Sequence, residues 1–198
     1  MYTVSSVISG ATGRTGFDVP VAGTEPASDE FCPDAPSDWY DNRTHDSVPH
    51  HRGRPAGSVR GVADPSTHPA IDGTGWVRGS LDGVLTTSGQ IFRMAMFHLN
   101  HPDKDYRMAN LVEVFDPPRA IGWKPGNESP DTGDLSFGEW TWRYDLAETG
   151  PAQTTVTLTY DWSRVPDQVR QRLSFPPFGQ DHLDNSLRHL AELVGSAA

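Results

Sequence analysis

The chain has 198 residues, 35% of them apolar, and a formal net charge of −10 at pH 7. That charge argues against a nucleic-acid-binding surface, which needs a basic patch, and the single cysteine, Cys32, excludes an intramolecular disulfide. No run approaches the roughly 18 apolar residues of a membrane span and no basic-then-apolar leader opens the chain, so a cytoplasmic protein without nucleic-acid or membrane partners is expected.

Beyond the first ten positions, residues up to 62 scatter Pro, Gly, Ser, Thr and Asp without helical or strand period. Such a composition buries too little apolar surface to offset its ordering entropy, so 1–62 is expected to be an irregular extension. From Ala63 onward the pattern changes. Gly75–Gly79 is a short strand, and Gln90–Leu99 alternates with Phe92, Met94, Met96 and His98 on one face. Tyr106–Phe115 places Met108, Asn110, Val112 and Val114 together, and Ala120–Lys124 is a short strand holding Trp123. Two strands follow. Trp140, Trp142, Tyr144 and Leu146 alternate with polar residues in the first, as do Val156, Leu158, Tyr160 and Trp162 in the second. Thr149-Gly150-Pro151-Ala152 between them is turn chemistry, making an antiparallel hairpin. Asp181–Val194 closes the chain as a helix with Leu183, Leu187, Leu190 and Val194 on one face.

Consecutive antiparallel strands closed by one amphipathic helix make an α+β domain over residues 63–198. Several motifs carry a family resemblance: Ala63-Asp64-Pro65-Ser66-Thr67-His68-Pro69-Ala70-Ile71-Asp72-Gly73, Arg143-Tyr144-Asp145-Leu146, Thr155–Trp162 followed by Ser163, and Ser186-Leu187-Arg188-His189-Leu190. In order and spacing they resemble the SRPBCC (START-like) superfamily, in particular its polyketide cyclase/dehydrase-like branch, over about residues 63–194. The resemblance implies a helix-grip fold, a curved antiparallel sheet wrapped around a long C-terminal helix, holding a hydrophobic small molecule. A departure lies upstream, where the family pattern wants a strand and a short helix before Ala63. His45–Val62 supplies neither. A shifted reading frame over 1–62 would account for the loss, since a frame one base later permits a β-branched strand and an apolar helix there. Resequencing the gene across the codons for residues 40–65 tests this.

The stretch Gly10-Ala11-Thr12-Gly13-Arg14-Thr15-Gly16 resembles a dinucleotide-binding loop. Such a loop works only between a strand and a helix, and the two prolines and missing apolar period that follow supply no helix. No cofactor is expected. His98 and His101 share a turn with Asp103 and Asp105, and His50 and His51 are adjacent, but neither group converges as a zinc site demands, so no metal is expected. His182 and His189 read as surface residues of the closing helix. What remains is an inward set of Phe92, Met94, Met96, His98, Met108 and Asn110, joined by Trp123, Trp142, Tyr144 and Tyr160. These ten are the candidate ligand-binding residues, with His98 and Asn110 read as a polar pair among Met and aromatic side chains. Two functions fit. One is a monomeric or homodimeric binding module for a polyketide-, aromatic- or lipid-like ligand. The other is a polyketide cyclase/aromatase-type enzyme that acts by substrate positioning, with His98 or Tyr144 as acid/base.

Overall fold

The computed structural model describes residues 1–9, 61–151 and 153–196. The dinucleotide-like loop, Cys32, His50 and His51 lie outside the described residues, as does most of the extension read over 1–62. The strands are β1 (Tyr2–Ser9), β2 (Val77–Ser80), β3 (Ile91–Phe97), β4 (Asp105–Asp116), β5 (Ala120–Glu128), β6 (Leu135–Phe137), β7 (Thr141–Gly150) and β8 (Gln153–Asp161). Helices are α1 (His68–Ile71), α2 (Asp167–Arg170) and α3 (Asp181–Ser196), with a 3-10 turn at Pro65–Thr67 before α1.

Together the strands form one antiparallel sheet in the order β1-β8-β7-β5-β4-β3-β2, with β6 added to the far half of β5. Alternation decides its faces. Phe92 and Met94, Tyr144 and Leu146, and Val156, Leu158 and Tyr160 all point inward. Leu183, Leu187 and Leu190 of α3 are buried against this side, so the helix closes the core as its apolar stripe dictates. The molecule is a helix-grip fold of the α+β class. The aromatic hairpin pairs Trp142 with Tyr160, Tyr144 with Leu158 and Leu146 with Val156, in the register its alternation implies.

Three readings change. First, the upstream strand is present. Tyr2–Ser9 pairs along its whole length with β8, from Tyr2 opposite Tyr160 to Ser9 opposite Gln153. Val4 and Ile8 are buried in the core while Val7 stays 57% exposed. A strand therefore heads the stretch 1–62 read as an irregular extension. Eight residues of β-branched alternation cannot announce a partner about 150 positions away, so the pairing was invisible locally. Second, Val114 does not continue the inward face of β4. The register slips between Val112 and Val114, and it is Phe115 that packs against the core. One extra residue in a strand inverts every side chain beyond it. Third, β5 runs on to Glu128 rather than stopping near Lys124. Its first half pairs with β7 through Trp123 and its second half with β6 from Gly126.

Charge organises the outer face. The Arg93 guanidinium on β3 donates two bonds of 2.7 Å to Glu128 on β5 and a longer one to Asp82. At the corner between β6 and β7, the Lys124 ammonium reaches Glu113 at 2.9 Å and Glu139 at 3.2 Å, and Arg164 joins Glu139 from the far side. Glu139 holds a left-handed φ of 62°, which turns its carboxylate back toward this cluster.

Candidate functional site

Between the inner face of the sheet and α3 lies a cavity of about 540 Å³. Each of the ten residues in the inward set lines it. Cross-strand register explains why: Met94 faces Met108, Phe92 faces Asn110 and Met96 faces Tyr106 across β3 and β4. On the far side Trp142 packs on Tyr160 with ring centroids 4.5 Å apart, and Trp123 stacks on Tyr144 at 5.9 Å.

The polar pair of the sequence reading dissolves. Asn110 sits opposite Phe92, six positions along β3 from His98, or about 20 Å at the rise of a strand. Its amide is spent on backbone, donating to the Phe92 and Met108 carbonyls at 3.3 and 3.4 Å. His98 lies just beyond β3, edge-on to Trp76 with centroids 4.5 Å apart, and its Nδ1 accepts the Asn100 backbone N–H. His101 stacks on Tyr106 instead of converging with His98.

A different polar group stands in the cavity, built from the segment before β2. Asp64 caps the 3-10 turn by accepting the Ser66 N–H at 3.0 Å, and Pro65 presets its first residue. The Thr67 hydroxyl ties the turn back to the Asp64 and Gly61 carbonyls. This turn aims His68 into the cavity, where its ring lies nearly parallel to Trp123 at 5.2 Å and edge-on to Phe92. Its Nε2 is 2.8 Å from the Val62 carbonyl. A carbonyl only accepts, so Nε2 carries the proton, and burial pushes the ring's pKa down against the opposing pull of the Val62 bond, Asp64 and Asp72. The ring is neutral at pH 7, which leaves a lone pair on Nδ1.

Asp72 follows at the end of α1. Its carboxylate accepts the Thr74 N–H, the Thr74 hydroxyl and the Val77 N–H at 2.9 to 3.1 Å, pinning the start of β2. The same charge acts on four cavity groups: His68, Tyr106, Tyr144 and His182. Burial first, and Asp72 second, push Tyr144 far above the ordinary phenol range, so its hydroxyl stays protonated and donates.

His182 corrects the reading of α3. It is buried rather than exposed, with its ring against Phe178 at 4.4 Å and Trp142 at 5.5 Å. Its Nδ1 is enclosed without a hydrogen-bond partner. Desolvation lowers its pKa, while Asp72, the Gly73 backbone and Asp181 pull the other way. His189 is half-buried, with Nδ1 3.2 Å from the Asp72 carbonyl oxygen. Both departures have one cause: α1 and the strap before α3 cover flanks that an isolated helix would show to water.

That strap runs from Arg172 to Phe178 and lines the cavity between α2 and α3. At its base the Arg170 guanidinium donates to the Val165, Trp162 and Ser163 carbonyls. At its end Phe178 packs among Trp142, Tyr160 and His182, and Phe175 meets Trp140. Sequence reasoning missed His68, Asp72, His182 and the strap. The first two lie inside the quoted Ala63–Gly73 motif, which was the available signal.

No protein-family model and no curated protein matches the chain. Solved structures do. A Rhodobacter sphaeroides protein is 14% identical with a TM-score of 0.49, covering 76% of this chain and 90% of its own. A Nitrosomonas europaea protein is 14% identical with a TM-score of 0.47, covering 72% and 87%. An AHSA1 protein from Silicibacter pomeroyi is 16% identical with a TM-score of 0.44, covering 71% and 89%. Among the described residues no helix is long and apolar enough to cross a membrane.

Proposed function

We propose that the protein binds a hydrophobic small molecule, polyketide-, aromatic- or lipid-like, in the cavity between the sheet and α3. The binding unit comprises residues 63–198 with β1 joined to it. The observation that carries this reading is the wall itself. A space of about 540 Å³ is lined by Met and aromatic side chains from five strands and falls within the size range of small-molecule sites. Met108 tests it. Met108→Trp fills the space from the β4 side and is expected to weaken binding of an uncharged apolar dye such as Nile red by about tenfold or more. Circular dichroism should show the sheet intact. Unchanged dye affinity in a folded Met108→Trp protein overturns the reading. Native mass spectrometry of protein from its own host then identifies the ligand.

The rival reading, a polyketide cyclase/aromatase-type enzyme, is favoured by one observation: a protonated Tyr144 hydroxyl and a neutral His68 line the same cavity, each ring against Trp123. Such a pair suits proton transfer at an enolisable carbon, whereas His98 stands at the end of β3 away from it. Deuterium exchange into a β-diketone probe separates the two. A binding module leaves the exchange at its buffer rate, and acceleration that vanishes in Tyr144→Phe establishes the enzyme.

A further inference from the structure

The polar end of the cavity carries chemical information about the ligand, given the binding reading above. Two observations set its donors and acceptors. The Val62 carbonyl holds the His68 ring in the tautomer whose Nδ1 accepts. Tyr144 presents a hydroxyl that donates, and both rings lie within 6 Å of the Trp123 indole at small interplanar angles. An acceptor and a donor beside one aromatic plane match a group that both donates and accepts.

Charge narrows the choice. Asp72 is the acid among the described lining residues, and Arg172, on the exposed strap, is the sole cation among them. A ligand carboxylate at the His68 end would face the Asp72 charge and an Nδ1 lone pair without a buried cation to offset its desolvation. An ammonium would find the Asp72 oxygens already taken by Thr74 and Val77. An uncharged hydroxyl meets neither obstacle.

We propose that the cavity selects an uncharged aromatic hydroxyl, a phenol or enol, with the hydroxyl held between His68 Nδ1 and the Tyr144 hydroxyl and the ring against Trp123. The hydroxyl donates to His68 and accepts from Tyr144.

The test compares four probes of one shape at pH 7 by quenching of tryptophan fluorescence: 2-naphthol, naphthalene, 2-naphthoate and 2-naphthylmethylammonium. The expected order places 2-naphthol about tenfold tighter than each of the others. In Tyr144→Phe, which keeps the ring against Trp123, the naphthol-to-naphthalene preference should fall about fivefold. Equal binding of naphthol and naphthalene leaves the hydrophobic-cavity reading intact and overturns this proposal. So does tighter binding of naphthoate, which would make Arg172 the anchor, or of the ammonium. Failure of all four to bind overturns the cavity reading and this proposal with it.

Discussion

Gly73→Ala is expected to lower the unfolding free energy by about 2–3 kcal/mol, a cost typical of forcing extra atoms into a packed site. A Cβ at this position falls 2.3 Å from the His182 carbonyl oxygen, 2.7 Å from its Nδ1 and 3.0 Å from Ser186 Oγ. The nearest of these is backbone in the first turn of α3 and cannot swing aside. Relief requires lifting the start of α3 away from the segment before β2. Because His182 and Ser186 line the cavity, the same movement should weaken apolar dye binding. Gly79→Ala is the control: a Cβ there meets nothing within 4 Å, so its stability should change by about 0.5 kcal/mol or less. Thermal unfolding of the two variants measures the difference. Equal melting temperatures would mean that the close approach of Gly73 to α3 does not constrain the fold.

Mild acid should destabilise the protein through its two enclosed histidines. Burial holds His68 and His182 below the ordinary value of 6.5 in the folded state. Above that pH neither the folded nor the unfolded chain binds a proton there. As pH falls below it the unfolded chain protonates first, so the stability present near neutrality declines until the folded rings themselves titrate. The decline approaches about 1.4 kcal/mol per histidine for each pH unit in that interval. Asp116, Glu128 and Asp161 are held below their ordinary values by Arg119, Arg93 and the Ser163 backbone respectively. Their contribution persists at moderate acidity and is lost only below about pH 4, so the two windows separate. Urea unfolding at pH 7, 6 and 5 reads the first window. His68→Phe, which retains a ring against Trp123, should roughly halve the slope. A flat profile between pH 7 and 5 would refute the neutral-histidine description of the cavity.

Much of the architecture was legible because its signals are local. The hairpin of β7 and β8 carries six inward apolar positions at period two with turn residues between, and its register followed. The stripe from Leu183 to Leu190 named the helix face that closes the core. Met94, Met108, Trp142 and the rest of the inward set reached the cavity by parity alone. Parity fails where a single residue intervenes, as at the slip between Val112 and Val114. It also says nothing about distance along a strand, which is why His98 and Asn110 looked like partners.

The sequence by itself determined six of the strands (β2 to β5, β7 and β8), the closing helix and most of the side chains that turn inward, since alternation and helical spacing are properties of neighbours in the chain. Only the tertiary structure decided that Tyr2–Ser9 completes the sheet and that His68, Tyr144 and His182 line one cavity within reach of the Asp72 charge. These groups come from α1, β7 and α3, separated by as many as 114 positions from His68 to His182. Their protonation depends on burial and on the Asp72 charge, which exist only once the elements are packed.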